Sequence, residues 1–376
     1  MDFDLSDEHE LLRRTVREFA EGEVAPVAEE LDRTGSVPYE IIAKLGALNL
    51  MGIPFPQRYG GAGGDTLAYV LTVEELTRVD SSVAITLCAH TSLGTEPIYL
   101  FGTEEQRREW MPRLCAGTIL GAFGLTEAAG GSDASHTTTR AVLDGDEWVV
   151  DGAKQFITNA GTDISGLVTI TALTGDGISN FIVPNGTPGY EQGRPYRKMG
   201  WHASDTRPLT FTGCRVPEAN LLGVPGRGLQ QFLSVLEIGR IGVAAMGLGL
   251  AQGAFDQALA YAKQRRAFGQ AIAKFQTIAG KLADMATEIE GSRLLVYRAA
   301  LLKDSGRPFG LAAAQAKLKT GRLAVRCAEE AVQIHGGYGY IEEYPVCRMY
   351  RDAKILTIGE GTDEIQQLVI ARGLGA

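Results

Sequence analysis

The hydrophobic period of this chain changes twice, and that change constrains the fold more than any other feature. Over residues 6 to about 120 the period is helical. Ser6 and an acidic stretch lead into Leu11, Leu12, Val16 and Phe19, which recur on one face, and helices are expected over Thr66–Val79, Ser82–Phe101 and Glu104–Leu114. From about 121 to 225 the helical pattern gives way to short β-rich runs: Glu147–Val150, Phe156–Thr158, Leu167–Thr171, Phe181–Val183 and Leu209–Thr212. Turn residues separate them, which predicts a small barrel or two packed sheets. From about 226 helices return. Leu282, Met285, Ala286, Ile289, Val296 and Ala300 mark one apolar stripe between Phe275 and Leu302, and Leu311–Gly336 and Thr362–Arg372 add further helices of a four-helix bundle. With 376 residues the chain exceeds one hydrophobic core. The expected fold is α+β, mainly α: an N-terminal helical domain (1–120), a middle β-barrel or sandwich domain (121–225) and a C-terminal helical bundle (226–376).

Composition excludes several functions. No run approaches the roughly 18 apolar residues of a membrane span, so no membrane insertion is expected. Lys plus Arg total 36 against 45 Asp plus Glu, and without a basic run this argues against nucleic acid as a partner. The acidic amino terminus lacks the features of a signal or transit peptide, and the five scattered cysteines form no Cys-x-x-Cys pair, so a cytoplasmic protein with reduced thiols is expected. Histidines and cysteines lack metal-ligand spacing, and no metal is assigned. The Gly60–Gly64 run follows a Pro-rich segment and not a strand, so it reads as a loop and not a dinucleotide fingerprint.

Near the carboxyl end, Gly359-Glu360-Gly361 precedes Thr362, a candidate N-cap, and a helical Asp-Glu-Ile-Gln. A carboxylate presented from such a turn can be aimed at a ligand, although a Gly-Glu-Gly segment on its own is also consistent with a solvated surface turn. Ala122–Asp133 offers a similar choice: a Gly-rich turn with backbone N–H groups free for phosphate, or a plain connection into the β domain. Glu237 and Arg240 are spaced as a solvated i, i+3 helix pair.

Four blocks together resemble the acyl-CoA dehydrogenase family of flavoproteins, the short- and branched-chain type most of all. They are Ala122–Asp133 (AFGLTEAAGGSD), Trp148–Gly161 (WVVDGAKQFITNAG), Arg265–Gln276 (RRAFGQAIAKFQ) with Lys281–Glu290, and Ile334–Gln367, which contains IHGGYGY and IGEGTDEIQ. The blocks span nearly the whole chain in the family's order.

The resemblance implies an FAD-dependent α,β-desaturation of an acyl-CoA, with electrons passed to an electron-transferring flavoprotein. Glu360 matches the family's catalytic base. Leu125, Thr126, Gly131 and Ser132, with Phe156, Ile157 and Thr158, match positions around the flavin and pyrophosphate. Arg265, Phe268, Gln276, Gln333, Gly336 and Gly337 match positions that hold the adenine and pyrophosphate end, and those matching Arg265, Phe268, Gln333 and Gly337 reach the FAD of a neighbouring subunit, so a homo-oligomer, a tetramer, is implied. Thr362 and Glu364 match flavin contacts after the base, and Ser132, Glu237, Arg240 and Gly361 match positions at the substrate. The chain departs from the family's pattern at Ala128, where Pro is frequent, and at Asp363, where Ser is common. Some members carry their base on an earlier helix, where this chain has Gly239, which cannot ionise. A flavin oxidase of the same fold and a non-catalytic helical scaffold are the competing readings.

Overall fold

Ser6 starts the first helix as its sequence predicts. In the computed structural model, which describes residues 4–376, its hydroxyl accepts from His9 N–H at 3.3 Å and caps α1 (Asp7–Phe19). The first three residues of the acidic start lie outside the described residues. Val16 is buried and Leu12 and Phe19 pack against the core, but Leu11 is 59% exposed, because a neighbour of Leu12 is turned about 100° around the helix.

After α2 (Ala28–Thr34) and α3 (Tyr39–Ala47), Gly60–Gly64 forms a loop, as expected. It leads to α4 (Thr66–Val79), capped by Asp65, which accepts from Ala68 N–H at 2.7 Å. The helix expected over Ser82–Phe101 is three pieces: α5 (Ser81–Ala89), a π-helical turn (His90–Thr95) and α6 (Glu96–Phe101). A Cβ on Gly94, in that turn, would lie 2.3 Å from Gly121 O, so the turn is pressed against the next segment's backbone. His90 fastens the junction from inside: its Nδ1 accepts from Gly121 N–H at 3.1 Å and its Nε2 donates to Leu114 O at 2.9 Å. Leu114 belongs to α7 (Glu104–Cys115).

The middle segment is one hydrogen-bonded sheet of eight strands: β1 (Leu120–Gly124), β2 (Arg140–Asp144), β3 (Glu147–Thr158), β4 (Ser165–Thr174), β5 (Gly177–Pro184), β6 (Tyr190–Gln192), β7 (Thr206–Pro217) and β8 (Leu221–Leu222). Their order is β6-β7-β3-β2-β4-β5-β8, with β1 parallel to β4. The β7-β3-β2 and β4-β5 portions are joined by one parallel pair, Arg140 with Leu173, and share a core of Trp148, Val150, Val168, Phe181 and Phe211. Two runs expected as separate strands, Glu147–Val150 and Phe156–Thr158, are the ends of β3, which is bulged where it pairs with β7. Sequence reading passes over β2, whose residues are mostly exposed and so lack alternation, and over β1, which both begins its buried run at Leu120 and carries two glycines.

Five long or buried helices follow: α8 (Gly228–Gln264), α9 (Gln276–Asp304), α10 (Gly310–His335), α11 (Pro345–Ala353) and α12 (Asp363–Gly373). α8 is the axis. A Cβ on its Gly247 would lie 2.8 Å from Thr320 of α10, and one on Gly249 would lie 2.3 Å from Glu74 O of α4, so both neighbours touch its backbone. An 18-residue window of α8 reaches a mean hydropathy of 1.5, which corrects the expectation that no apolar run is of spanning length, but 72% of that window is buried among the other helices. Of the stripe expected on α9, Leu282, Met285, Ile289, Val296 and Ala300 are buried and Ala286 is exposed.

Candidate active site

Four elements converge on Glu360. α11 and a 3-10 turn (Lys354–Thr357) deliver the chain to the corner, where Gly359 N–H donates to Ile355 O at 2.8 Å. α12 carries it away, with Thr362 as the N-cap accepting from Ile365 N–H. The fully buried Gln366 then turns its Nε2 back onto the corner, donating to Gly361 O at 2.9 Å and Glu360 O at 3.3 Å.

Glu360 itself has φ 52, a left-handed conformation that costs a non-glycine residue about 1–3 kcal/mol. Three of the six described non-glycine residues in that region are Phe156, Phe268 and Glu360, all selected from the sequence as site residues. The residue as a whole is half-exposed, but its Oε2 is enclosed and has no hydrogen-bond partner in the protein. Burial raises its pKa to about 7 against the pull of Lys317 and Arg240. A carboxylate oxygen enclosed without a donor is free to accept a proton.

α8 shapes the space around it. A Cβ at Gly239 would sit 2.1 Å from Glu360 Oε2 and 3.2 Å from Leu93 of the π-helical turn, so only glycine leaves room for this carboxylate. One turn further along α8, a Cβ at Gly242 would lie 2.5 Å from the Tyr69 hydroxyl and 2.8 Å from Cys88 Sγ. Arg240 is 7% exposed and Glu237 is half-buried, which corrects the alternative of a solvated surface pair: burial depresses the guanidinium while Glu237 and Glu360 oppose that.

The residues expected at the flavin form a second group. Leu125 and Thr126 follow β1, and Phe156, Ile157 and Thr158 end β3. Ile157 is buried, whereas the Phe156 ring is 65% exposed and lies 5.2 Å from the Tyr196 ring. Beside Thr126, the enclosed Glu127 accepts from Thr138 N–H, Thr139 N–H and, at 2.7 Å, the buried Lys154 Nζ. Burial opposes its charge, yet Lys154 and the threonine donors hold its pKa at about 2. That pair fixes the turn through Gly131 and Ser132, both exposed. The hydroxyls of Thr126, Ser132 and Thr158 hold no hydrogen bond to another described residue. Unspent hydroxyls beside an open aromatic face and an open Gly131 fit a flavin and its phosphates.

The remaining residues lie elsewhere. Gly336 is 19 residues along α10 from Lys317, about 28 Å by helical rise. There Arg265 lies over the Tyr338 ring at 5.9 Å, bringing the segment after α8 against the Gly336–Tyr340 turn, with Gln333 exposed beside it. Phe268, 96% exposed, touches Phe275, which immediately precedes the exposed Gln276. Thr362 and Glu364 line a groove of about 360 Å³ with the cationic Arg322 and Lys354. Sequence reasoning missed Lys317, Lys154 and Glu127. For Lys317 a signal existed: it falls at helical spacing on the apolar stripe of Ala313, Ala316, Thr320 and Ala324.

Comparison with known proteins agrees with this geometry. Family models described as acyl-CoA dehydrogenase N-terminal, middle and C-terminal domains match residues 6–118, 122–214 and 226–375. The chain is 51% identical to the probable acyl-CoA dehydrogenase YngJ of Bacillus subtilis, over all of both chains. It is 47% identical to the short-chain specific acyl-CoA dehydrogenase of Clostridium acetobutylicum, over 99% of each. Butyryl-CoA dehydrogenase from Megasphaera elsdenii superposes with a TM-score of 0.97 at 45% identity, covering 100% of both chains. A chain solved in work on the electron transferring flavoprotein of Acidaminococcus fermentans also gives 0.97 at 45% identity, over 100% of this chain and 99% of that one. An acyl-CoA dehydrogenase from Bacillus anthracis, solved with FAD, gives 0.93 at 34% identity, over 99% of this chain and 67% of that one. Taken with the unpaired hydroxyls of Thr126, Ser132 and Thr158 and the enclosed Oε2 of Glu360, these matches establish that the chain belongs to the acyl-CoA dehydrogenase family.

Proposed function

We propose that this chain desaturates a short acyl-CoA at Cα–Cβ, with Glu360 as the base that removes the α-proton. The enclosed, unpartnered Oε2 of Glu360 carries the reading. FAD, when bound, supplies the acceptor for the β-hydride, which no side chain can provide. Leu125, Thr126, Gly131, Ser132, Phe156, Ile157 and Thr158 hold it on one side, with Thr362 and Glu364 following the base. Ser132, Glu237, Arg240 and Gly361 are assigned to the thioester and pantetheine, and residues 1–120, 121–225 and 226–376 are the three working parts.

The short-chain preference is supported by Tyr69 and Cys88, which meet α8 at Gly242, three residues or about 4.5 Å of helical rise from the Gly239 that faces the base. Anaerobic mixing of the flavin-loaded protein with acyl-CoA of increasing length tests this. Butyryl-CoA should bleach the flavin fastest and a long-chain acyl-CoA slowest. Rapid bleaching by long chains, or none by any acyl-CoA, would overturn the reading.

The electron acceptor in this reading is an electron-transferring flavoprotein, and the location is cytoplasmic, in keeping with five free cysteines. A tetramer is the functional unit. Gln333, Gly336 and Gly337 lie at the far end of α10 from Lys317, Arg265 meets Tyr338 there, and the bare Phe268 ring is suited to burial by a second copy, which supports a site completed by a neighbouring subunit. Sizing should give a species several times 40.2 kDa. Arg265→Lys should weaken FAD retention, because a point charge does not reproduce bidentate pairing with pyrophosphate.

A further inference from the structure

We infer that Lys317 positions the base: its ammonium anchors the corner through Gly361 O and keeps the Glu360 carboxylate in its ionised, proton-accepting form. The inference rests on the reading of Glu360 as the base. Lys317 is fully buried on α10, an unusual place for a lysine, and Nζ donates to Gly361 O at 2.6 Å. That bond uses one of three donors.

A buried ammonium needs opposite charge, because the desolvation of each ion costs several kcal/mol. Three carboxylates face Lys317. Asp363 is already paired with Arg322 at 2.8 Å, and Glu364 is exposed. Asp363 Oδ1 is enclosed without a hydrogen bond as well, but that carboxylate already has Arg322 on its other oxygen; Glu360 has no cation paired to it among the described residues and directly precedes Gly361, the residue to which Lys317 bonds.

The groups facing Glu360 from the surrounding elements are few. Lys317 on α10 and Arg240 on α8 are the cations. Tyr69 on α4 and Cys88 on α5 are neutral, since burial pushes the thiol up to about 12 and the phenol well above its usual range. Removing Lys317 therefore removes one of two positive charges that favour the carboxylate. Burial also lowers the Lys317 ammonium to about 8, so base and anchor titrate in neighbouring ranges.

Two variants and a control separate charge from anchoring in the FAD-loaded protein. Lys317→Gln keeps an amide donor without charge, and Lys317→Met is close in length and apolar. Gln366→Leu removes the other donor to Gly361 O while leaving every charge in place. The readout is the pH dependence of anaerobic flavin reduction by butyryl-CoA. In both Lys317 variants the acid limb should move up by about one pH unit or more, with the rate lost at neutral pH regained in alkali. Gln366→Leu should lower the rate at every pH and leave the limb in place. A limb that stays at the parent position in either loaded Lys317 variant, or one that moves equally in Gln366→Leu, refutes the inference. Near-normal reduction by Glu360→Gln would instead remove Glu360 from its role, which separates the two failures.

Discussion

Glu127 and Glu360 are both enclosed carboxylates, and they differ in the number of partners each is given. Glu127 receives two backbone N–H groups, a threonine hydroxyl and a buried lysine, and its pKa is held at about 2. Glu360 keeps an enclosed oxygen with no donor, and burial takes its pKa to about 7. One carboxylate is made permanent so that the flavin-side turn keeps its shape. The other is left short of partners, as the proposed role of proton acceptor requires. Burial opposes ionisation in both, and hydrogen-bond supply decides the outcome.

The contrast is broken most severely at Glu360. Glu360→Gln should keep fold and flavin while anaerobic flavin reduction falls by about 10⁴-fold, because an amide does not accept the α-proton. On the structural side, Lys154→Met leaves Glu127 buried without its cation and should destabilise the protein by about 3–5 kcal/mol, read as a lower denaturant midpoint. Flavin should be released early in that unfolding.

The two carboxylates also predict opposite slopes of stability against pH. A folded pKa of about 7, against a usual 4.5, means Glu360 costs little below pH 4.5 and up to about 3 kcal/mol once pH passes 7. Glu360→Gln should then be more stable than its parent above pH 7, and the gain should vanish in acid. Glu127 is displaced downward, so its contribution is complete above pH 4.5 and is lost as pH falls toward 2. Thermal melts of parent and Glu360→Gln across pH check the Glu360 slope; a Glu360→Gln advantage that grows in acid would contradict the assignment. Gly239→Ala sharpens the comparison with the smallest effect. A methyl group directed at Oε2 should displace the carboxylate and slow flavin reduction about tenfold, with the melt nearly unchanged, since a 1 Å misplacement costs up to about 10²-fold.

Much of this was legible in the residues. Glu360 could be found because its two glycines and Thr362 are local signals, and the change of period marks the β segment without any contact information. Glu127 and Lys154 were not legible as a pair. They are 27 residues apart, on a turn and a strand, and each alone is an ordinary charged residue among polar neighbours. Arg240 was open to the wrong reading for the same reason: an i, i+3 spacing with Glu237 does not tell which face of α8 is covered. The π-helical turn at His90–Thr95 has no period of its own to read, because it is made by the approach of Gly94 to Gly121.

The closeness of Gly239 to the carboxylate also limits how such a chain can change over generations. A side chain at 239 and a glutamate at 360 claim the same volume, so the two places where this family is expected to carry its base are mutually exclusive in this backbone. With Glu360 as the proposed base, installing an acid at 239 first evicts it, and deleting Glu360 first leaves none. A lineage passing from one arrangement to the other crosses a step with impaired turnover, unless both codons change together or a second gene copy carries the load.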